Sequence, residues 1–446
     1  MRWSRGIVLV SVAVLVAAAA GVGAPAGAST RPAPGPRRAT DVGITATTIR
    51  IAVLADVDTP AAPGLFEGSV SAVEGWAKYM NSIGGLAGRK VIVDFIDTHL
   101  SADDAREAII TACSRDFALV GTSALFVDNI SDLVGCKDAT GKAVGLPDFP
   151  VVQTDPVHQC SPVSYSVEGE TLDCATRNDH PQTYRATVGP TRYFLSTFKD
   201  LHGIYIYPSD LQASKNAEVP LFKIQQRLGI KSDQDFDISG AAPQSAFTPV
   251  VQAAKQHQSS YVHAGLSFSS MVELRKEAQL QGLTSVKVWD CSIQCYDQRF
   301  IQQGGSSVEG QYLYTIFVPF EEANANKMTA TFLKYTGRDK ADAFGATAWA
   351  AGIFFQDVVN TIVHKGGDNA LTRAAVLATA PTINGFTADG MLGKTDVGKR
   401  LPTPCYVLLQ VRHGKFVRVY PKKPGTFDCN PANLQTIKLD LLSGGS

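Results

Sequence analysis

From residue 43 onward the apolar positions change period repeatedly. Ile49-Arg-Ile-Ala-Val-Leu-Ala55 is an apolar run of buried-strand length. Phe66, Val70, Val73, Ala77 and Met80 then recur at helical spacing, which predicts a helix of about four turns. Lys90 to Ile96 predicts a second strand. Ser101 and Asp104 resemble a capping pair, with Asp in place of the usual Glu, ahead of a helix face made by Ala105, Ala108, Ile109 and Ala112. Ala118–Gly121 and Pro150–Gln153 predict further strands. This βαβα order predicts an α/β fold: a parallel sheet with helices on both faces.

The rhythm restarts near residue 190. Helix is predicted at 193–201, 214–228, 245–257 and 270–281, and strand at 203–207, 261–264 and 286–289. A strand at 311–318 precedes helices at 323–335 and 342–363. The segment 405–420 alternates in short strands around His413-Gly-Lys415, which fits a hairpin turn. Two α/β units in succession are therefore expected.

Glycines at 84, 85 and 88 fall between the first helix and the second strand. Phosphate-cradling glycines need the opposite order, strand before helix, because the helix N-terminus supplies the amides and the favourable dipole. A helix C-terminus presents carbonyls and partial negative charge. Gly84 or Gly85 is thus expected to stop the helix, and Gly88 to complete a tight turn. This is no nucleotide loop.

Charge changes the picture next. Lys plus Arg and Asp plus Glu number 41 each, so no global field holds nucleic acid or an anionic membrane. Small-molecule or protein partners are expected instead. The N-terminus carries a basic MRWSR segment, an apolar run from Ile7 to Ala20 and Ala26-Gly27-Ala28, the pattern of a cleaved export signal over 1–28. The rival reading is an uncleaved anchor helix, which would tether the protein to a membrane. No cysteine lies near the cleavage site to carry a lipid anchor. Residues 29–42, rich in Pro, Arg and Ala, read as a disordered tether.

Export puts the eight cysteines in an oxidising compartment. They allow about a hundred pairings. Short loops favour Cys113–Cys136, Cys160–Cys174, Cys291–Cys295 and Cys405–Cys429. The rival is a metal site through Cys291 and Cys295, but no second close pair or nearby histidine completes four ligands. No metal or cofactor is expected.

The helix, the Asn81-Ser-Ile-Gly-Gly-Leu-Ala-Gly-Arg-Lys90 turn, the hydrophobic strand and Asp97 together resemble the N-terminal signature of the periplasmic type 1 solute-binding proteins. The resemblance is to their leucine/branched-chain amino acid receptor branch, which serves ABC importers. Leu119-Val-Gly121 with Ser123, the helix Ser245–Lys255 followed by Gly265, and Ala278–Leu283 match further family blocks, so the resemblance runs from about Gly43 to Tyr420. It implies two Rossmann-like, doubly wound lobes joined by three crossing segments. Lobe one would span 43–187 plus 318–385, and lobe two 188–317 plus 386–440.

In such sheets ligands bind outside the carboxyl ends of the strands. The resemblance accordingly implies contacts at Thr122 and Ser123, to a ligand carboxylate, and at Thr154 and Asp155 in lobe one. In lobe two it implies Tyr207, Ser267, Phe268 and Asp290, the last near the family's acidic ligand for an amino group. That acid falls alternatively on Ser292, beside a cysteine pair. Leu65 and Phe66 are candidates for a side-chain pocket, with core packing the rival. The expected function is an exported binder that captures a small polar ligand, such as an amino acid or amide, and delivers it to an ABC permease.

Two alternatives remain: an extracellular sensory receptor of the same fold, and a secreted hydrolase using His99 with Asp97 or His158 with Asp155. No G-x-S-x-G or H-E-x-x-H spacing supports the hydrolase.

Overall fold

The computed structural model describes residues 36–59 and 62–442. The expected export signal and the tether up to residue 35 lie outside them. Residues 36–42 belong to the folded body rather than to a tether. The buried Asp41 carboxylate accepts from the amides of Val42, Ala139 and Arg373 at 2.8, 3.0 and 2.7 Å, which fixes the backbone there.

The first half builds β1 (Thr48–Ala55), α1 (Glu67–Ser82), β2 (Lys90–Asp97), α2 (Ala102–Arg115), β3 (Leu119–Val120), α3 (Ser131–Val134), β4 (Asp148–Phe149) and α4 (Pro156–Gln159). Its four strands are all parallel, in the order β2-β1-β3-β4. The strand expected over 150–153 lies earlier, at 148–149. From there the chain bends away, because Val151 and Val152 both donate to the Thr122 carbonyl instead of continuing a ladder.

Next come β5 (Gln182–Thr187), α5 (Gly189–Thr197), β6 (His202–Pro208), α6 (Gln212–Leu228), β7 (Lys231–Ile238), α7 (Thr248–Gln256), β8 (Tyr261–Ala264), α8 (Phe268–Leu280), β9 (Val288–Asp290), α9 (Gln298–Gly304) and β10 (Gln311–Thr315). Three helices follow: α10 (Lys327–Thr336), α11 (Ala343–Gly366) and α12 (Arg373–Thr379). The chain ends in β11 (Val407–Arg412), β12 (Lys415–Tyr420) and β13 (Leu434–Leu439). The second sheet is ordered β12-β11-β10-β9-β8-β6-β7, with β11 alone running antiparallel to its neighbours β10 and β12, and β13 pairs separately with β5.

The chain leaves the first sheet through β5, returns after β10 to lay α10 and α11 against α1, and crosses back at β11. Helix α11 is buried along most of its length, which explains its nearly unbroken apolar composition. Gly352 on α11 faces the Trp76 ring of α1, where a Cβ would sit 2.7 Å from a ring carbon. Strand β7 carries KSDQDFDI and has no period-2 apolar run of any length; it is an edge strand that needs only one neighbour.

Helix α1 ends as its glycines require. The Gly85 amide reaches back to the Met80 carbonyl at 2.9 Å with φ at +85°, and a Cβ at Gly85 would overlap the Arg89 carbonyl. Ser101 caps α2 through the Asp104 amide. All four expected cysteine pairs are bonded, including Cys291 with Cys295, which consumes the proposed metal ligands. No described helix is long and apolar enough to cross a membrane.

Candidate functional site

Each parallel strand ends in a loop, and the loops of the two sheets face one another. The first sheet presents Leu65 and Phe66 after β1, Leu100 after β2, Leu125 after β3, and Val151 to Thr154 after β4. The second presents Asp210 to Glu218 after β6, Gly240 and Ala241 after β7, Gly265 to Phe268 after β8, and Ile293 to Asp297 after β9. Asp342 to Phe344, opening α11, close one side. Between them lies a cavity of about 330 Å³, at the low end of ligand-pocket sizes.

The loops are held by buried carboxylates. Asp56, directly after β1, accepts from the Thr98 hydroxyl and from the Leu100 and Leu125 amides, tying three loops of the first sheet together. Asp97, at the end of β2, accepts from the amides of Val57, Asp58 and His99, and these bonds hold its carboxyl below the usual range despite burial. Strand-terminal aspartates with several amide donors are rigid scaffolding. Across the cleft, Arg299 is held by Asp297, donates to the Gly64 carbonyl at 3.3 Å and stacks on Phe268. It thereby links α9 to the loop after β1.

Of the expected contacts, the structure brings Thr154, Ser267 and Phe268 to the cavity, together with Leu65 and Phe66. Phe66 also packs edge-on against Phe344, at 4.9 Å between centroids. Thr122 and Ser123 lie behind the wall. The Thr122 hydroxyl donates to Asp148 at 2.7 Å, and Ser123 donates to Ser69 at 2.9 Å. Asp155 accepts from the Val127 amide, and burial raises its carboxyl. Tyr207 packs on Phe222 with Lys215 over its ring. Asp290 is buried and accepts from the Tyr261 hydroxyl at 2.9 Å. None of these last five lines the cavity.

The expected histidine pairs are also reassigned. His158 bonds Asp148 at 2.8 Å inside the first sheet's core, not Asp155, and His99 meets Asp104 at 3.3 Å. A serine–histidine–carboxylate series does exist in the second unit: Ser292 Oγ lies 3.0 Å from His263 Nε2, and His263 Nδ1 lies 3.5 Å from Asp290. Burial holds His263 below its ordinary value although Asp290 pulls the other way. All three are buried, and Ser292 is outside the cavity lining.

Two lining residues were not foreseen. Glu168, from the segment between α4 and β5, and Glu218, on α6, both face the cavity, and burial pushes both carboxyls up to about 7. In sequence they look like ordinary solvated acids. The one hint was Gly265: a Cβ there would sit 2.6 Å from Glu218 Cγ, so the glycine leaves room for that side chain.

Two facing sheets with a cavity at the carboxyl ends of their parallel strands form the arrangement in which two-lobed α/β proteins hold small molecules. The periplasmic binding protein family model matches residues 48–415, and the chain belongs to that family. Solved structures agree at the level of the fold. An ABC transporter substrate-binding protein from Aeropyrum pernix aligns at TM-score 0.65 and 16% identity, over 87% of this chain and 99% of that one. A fatty acid ABC transporter substrate-binding protein from Thermomonospora curvata aligns at 0.65 and 14%, over 85% and 92%. The leucine binding protein LivK from Thermotoga maritima aligns at 0.62 and 14%, over 83% and 97%. No curated protein sequence matches the chain.

Proposed function

We propose that the chain is the exported solute-binding protein of an ABC-type importer, without enzymatic activity, that captures a small molecule between its lobes and presents the closed form to a membrane permease. The observation that carries this is the cavity itself, walled by the carboxyl-terminal loops of both parallel sheets. Lobes over 43–187 plus 318–385 and 188–317 plus 386–440 are supported by the packing of α10 and α11 on α1, although β5 pairs with β13 across the first of these boundaries. The four disulfides suit a cell-envelope or extracellular setting. Ligand binding would stabilise the closed arrangement by its differential affinity for that state.

The test is a thermal-shift screen of amino acids, amides, short peptides, sugars, amines and carboxylic acids, followed by small-angle scattering of any hit. A ligand-dependent rise in melting temperature with compaction, and no turnover of the ligand, is expected. Turnover of the ligand, or binding without any compaction, would overturn the reading.

A further inference from the structure

The cavity is unbalanced in both charge and hydrogen bonding. Among its described lining residues there is no Lys, Arg or His. Of its five acids, three are answered within the protein. Asp210 accepts from the Ser239 hydroxyl and the Gly240 amide, Asp297 pairs with Arg299 at 2.7 Å, and Asp342 caps α11 at the Gly345 amide, with Arg299 3.8 Å away. Among the described residues, Glu168 and Glu218 have no cationic partner. Glu168 has only the Thr347 hydroxyl within hydrogen-bonding reach, and Glu218 has no hydrogen-bonding side chain against its carboxylate. The two come from opposite sides of the cleft, and both line the cavity.

Of the side-chain donor residues on the wall, all but Ser214 are already engaged. Gln153 Nε2 donates to the His158 carbonyl, Gln294 Nε2 to the Leu266 carbonyl, the Thr154 hydroxyl to the Leu125 carbonyl, and the Tyr296 hydroxyl to Glu321. Besides that one hydroxyl, what remains on offer is acceptors: the two free carboxylates, and Gln153 Oε1, which is buried with no partner. The rest of the wall is aliphatic and aromatic, with Phe66, Phe268 and Phe344 among it.

Helix N-termini do open on this cavity, and that end favours anions. At α11, however, the Asp342 carboxyl already takes up the Gly345 amide, and at α8 the Ser267 oxygen takes up the Ser270 amide; α6 has no side-chain cap, and Asp210 lies two residues ahead of it. An uncompensated carboxylate in an apolar cavity is costly. A ligand that brings a positive charge removes that cost, whereas one that brings a carboxylate adds to it.

Resting on the clamp reading above, we infer that the ligand is a compact amphiphilic cation, an amine or quaternary ammonium on an apolar body without a carboxylate, whose charge sits in the field of the Glu168 and Glu218 carboxylates. Its body lies on the aromatic and aliphatic wall, and the ring faces add cation–π attraction. The raised carboxyls fit this picture: both are destabilised as anions until a cation arrives.

The experiment is calorimetric titration of the full chain, disulfides intact, with 2-phenylethylamine, cyclohexylmethylamine and phenyltrimethylammonium, beside 3-phenylpropanoate, 3-phenylpropanol, leucine and phenylalanine. Binding of at least one of the three cations is expected, with the acid, the alcohol and both amino acids weaker. Glu218→Gln and Glu168→Gln should each weaken that cation on the order of 30-fold or more, while Glu218→Asp, which keeps the charge, loses less. Denaturant unfolding of each variant confirms that it folds. Preferred binding of the acid, the alcohol or an amino acid would overturn the inference and leave the clamp intact. Unchanged cation affinity in both glutamine variants, or no binding by any of the three cations, would also overturn it. The clamp reading itself stands or falls on the separate screen and scattering test.

Discussion

Two groups of acidic side chains, both withdrawn from bulk water, are treated in opposite ways. Behind β9, Asp290 accepts from Tyr261, and His263 reaches Gln225 and Ser292 through its two ring nitrogens, so the protein answers its own polar atoms. In the cavity, Glu168 and Glu218 are left without cations. Even neighbours in sequence differ. Glu170 pairs with Arg400 at 2.7 Å, while Glu168, two residues away, faces the cleft. A satisfied buried network fixes a fold, whereas an unsatisfied one that opens on a cavity waits for a partner.

The comparison breaks most readily at Asp290. Asp290→Ala strips the Tyr261 hydroxyl of its acceptor and disturbs the His263 cluster, for an expected loss of about 3 kcal/mol in unfolding free energy. A urea midpoint unchanged from the parent would show that the network is not structural. A smaller loss is expected where the two regions join. Replacing both Cys291 and Cys295 with serine opens a short loop that carries Ser292 and the cavity residues Ile293 and Gln294. Stability should fall by about 2 kcal/mol, and ligand affinity should fall with it; unchanged affinity would separate the loop from the site.

The cavity carboxylates should act with the opposite sign. Both are raised from the ordinary glutamate value of 4.5 to about 7 by burial. The folded state therefore holds protons that the unfolded state has released between those two values, and the ligand-free protein loses stability as pH rises through that window. Groups facing the pair are Tyr314 for both, and Asp290 and Tyr207 for Glu218; the tyrosines stay neutral there. The Glu168→Gln/Glu218→Gln double variant should lack that part of the pH dependence and exceed the parent in stability at pH 8. Parallel pH curves for the two proteins would count against the raised carboxyls. For an amine ligand the sign is reversed: affinity rises with pH through 7 while the amine stays protonated.

The smallest effect is expected at Arg299, whose bond to the Gly64 carbonyl spans the cleft. Arg299→Ala should weaken ligand binding by about 1 kcal/mol, with little change in specificity among ligands, because the side chain is a third exposed. A change in ligand preference would place Arg299 in the site itself.

Much of this fold was legible in the sequence. Hydrophobic period, the Gly84–Gly88 turn, the Ser101 cap and short-loop cysteine pairing are local properties, set by sterics and nearest neighbours. Where reading fell short, partners were distant. Strand β7 has a polar pattern because it sits at an edge, and β5 finds β13 across some 250 residues of chain. Residues 36–42 dock because Asp41 meets the amides of Ala139 and Arg373.

The site divides along the same line. Sequence placed Thr154, Ser267 and Phe268 at strand ends, and strand ends do face the cleft. It could not tell which hydroxyls would be spent inside, as Thr122 is on Asp148, nor which acids would lack a counter-charge. Sequence alone determined the succession of elements, the class of fold and the crosslinks, because each follows from side chains close along the chain. Only the tertiary structure decided the chemistry of the cavity, because a carboxylate's character depends on the charges and donors that folding brings beside it, and for Glu168 and Glu218 folding brought none.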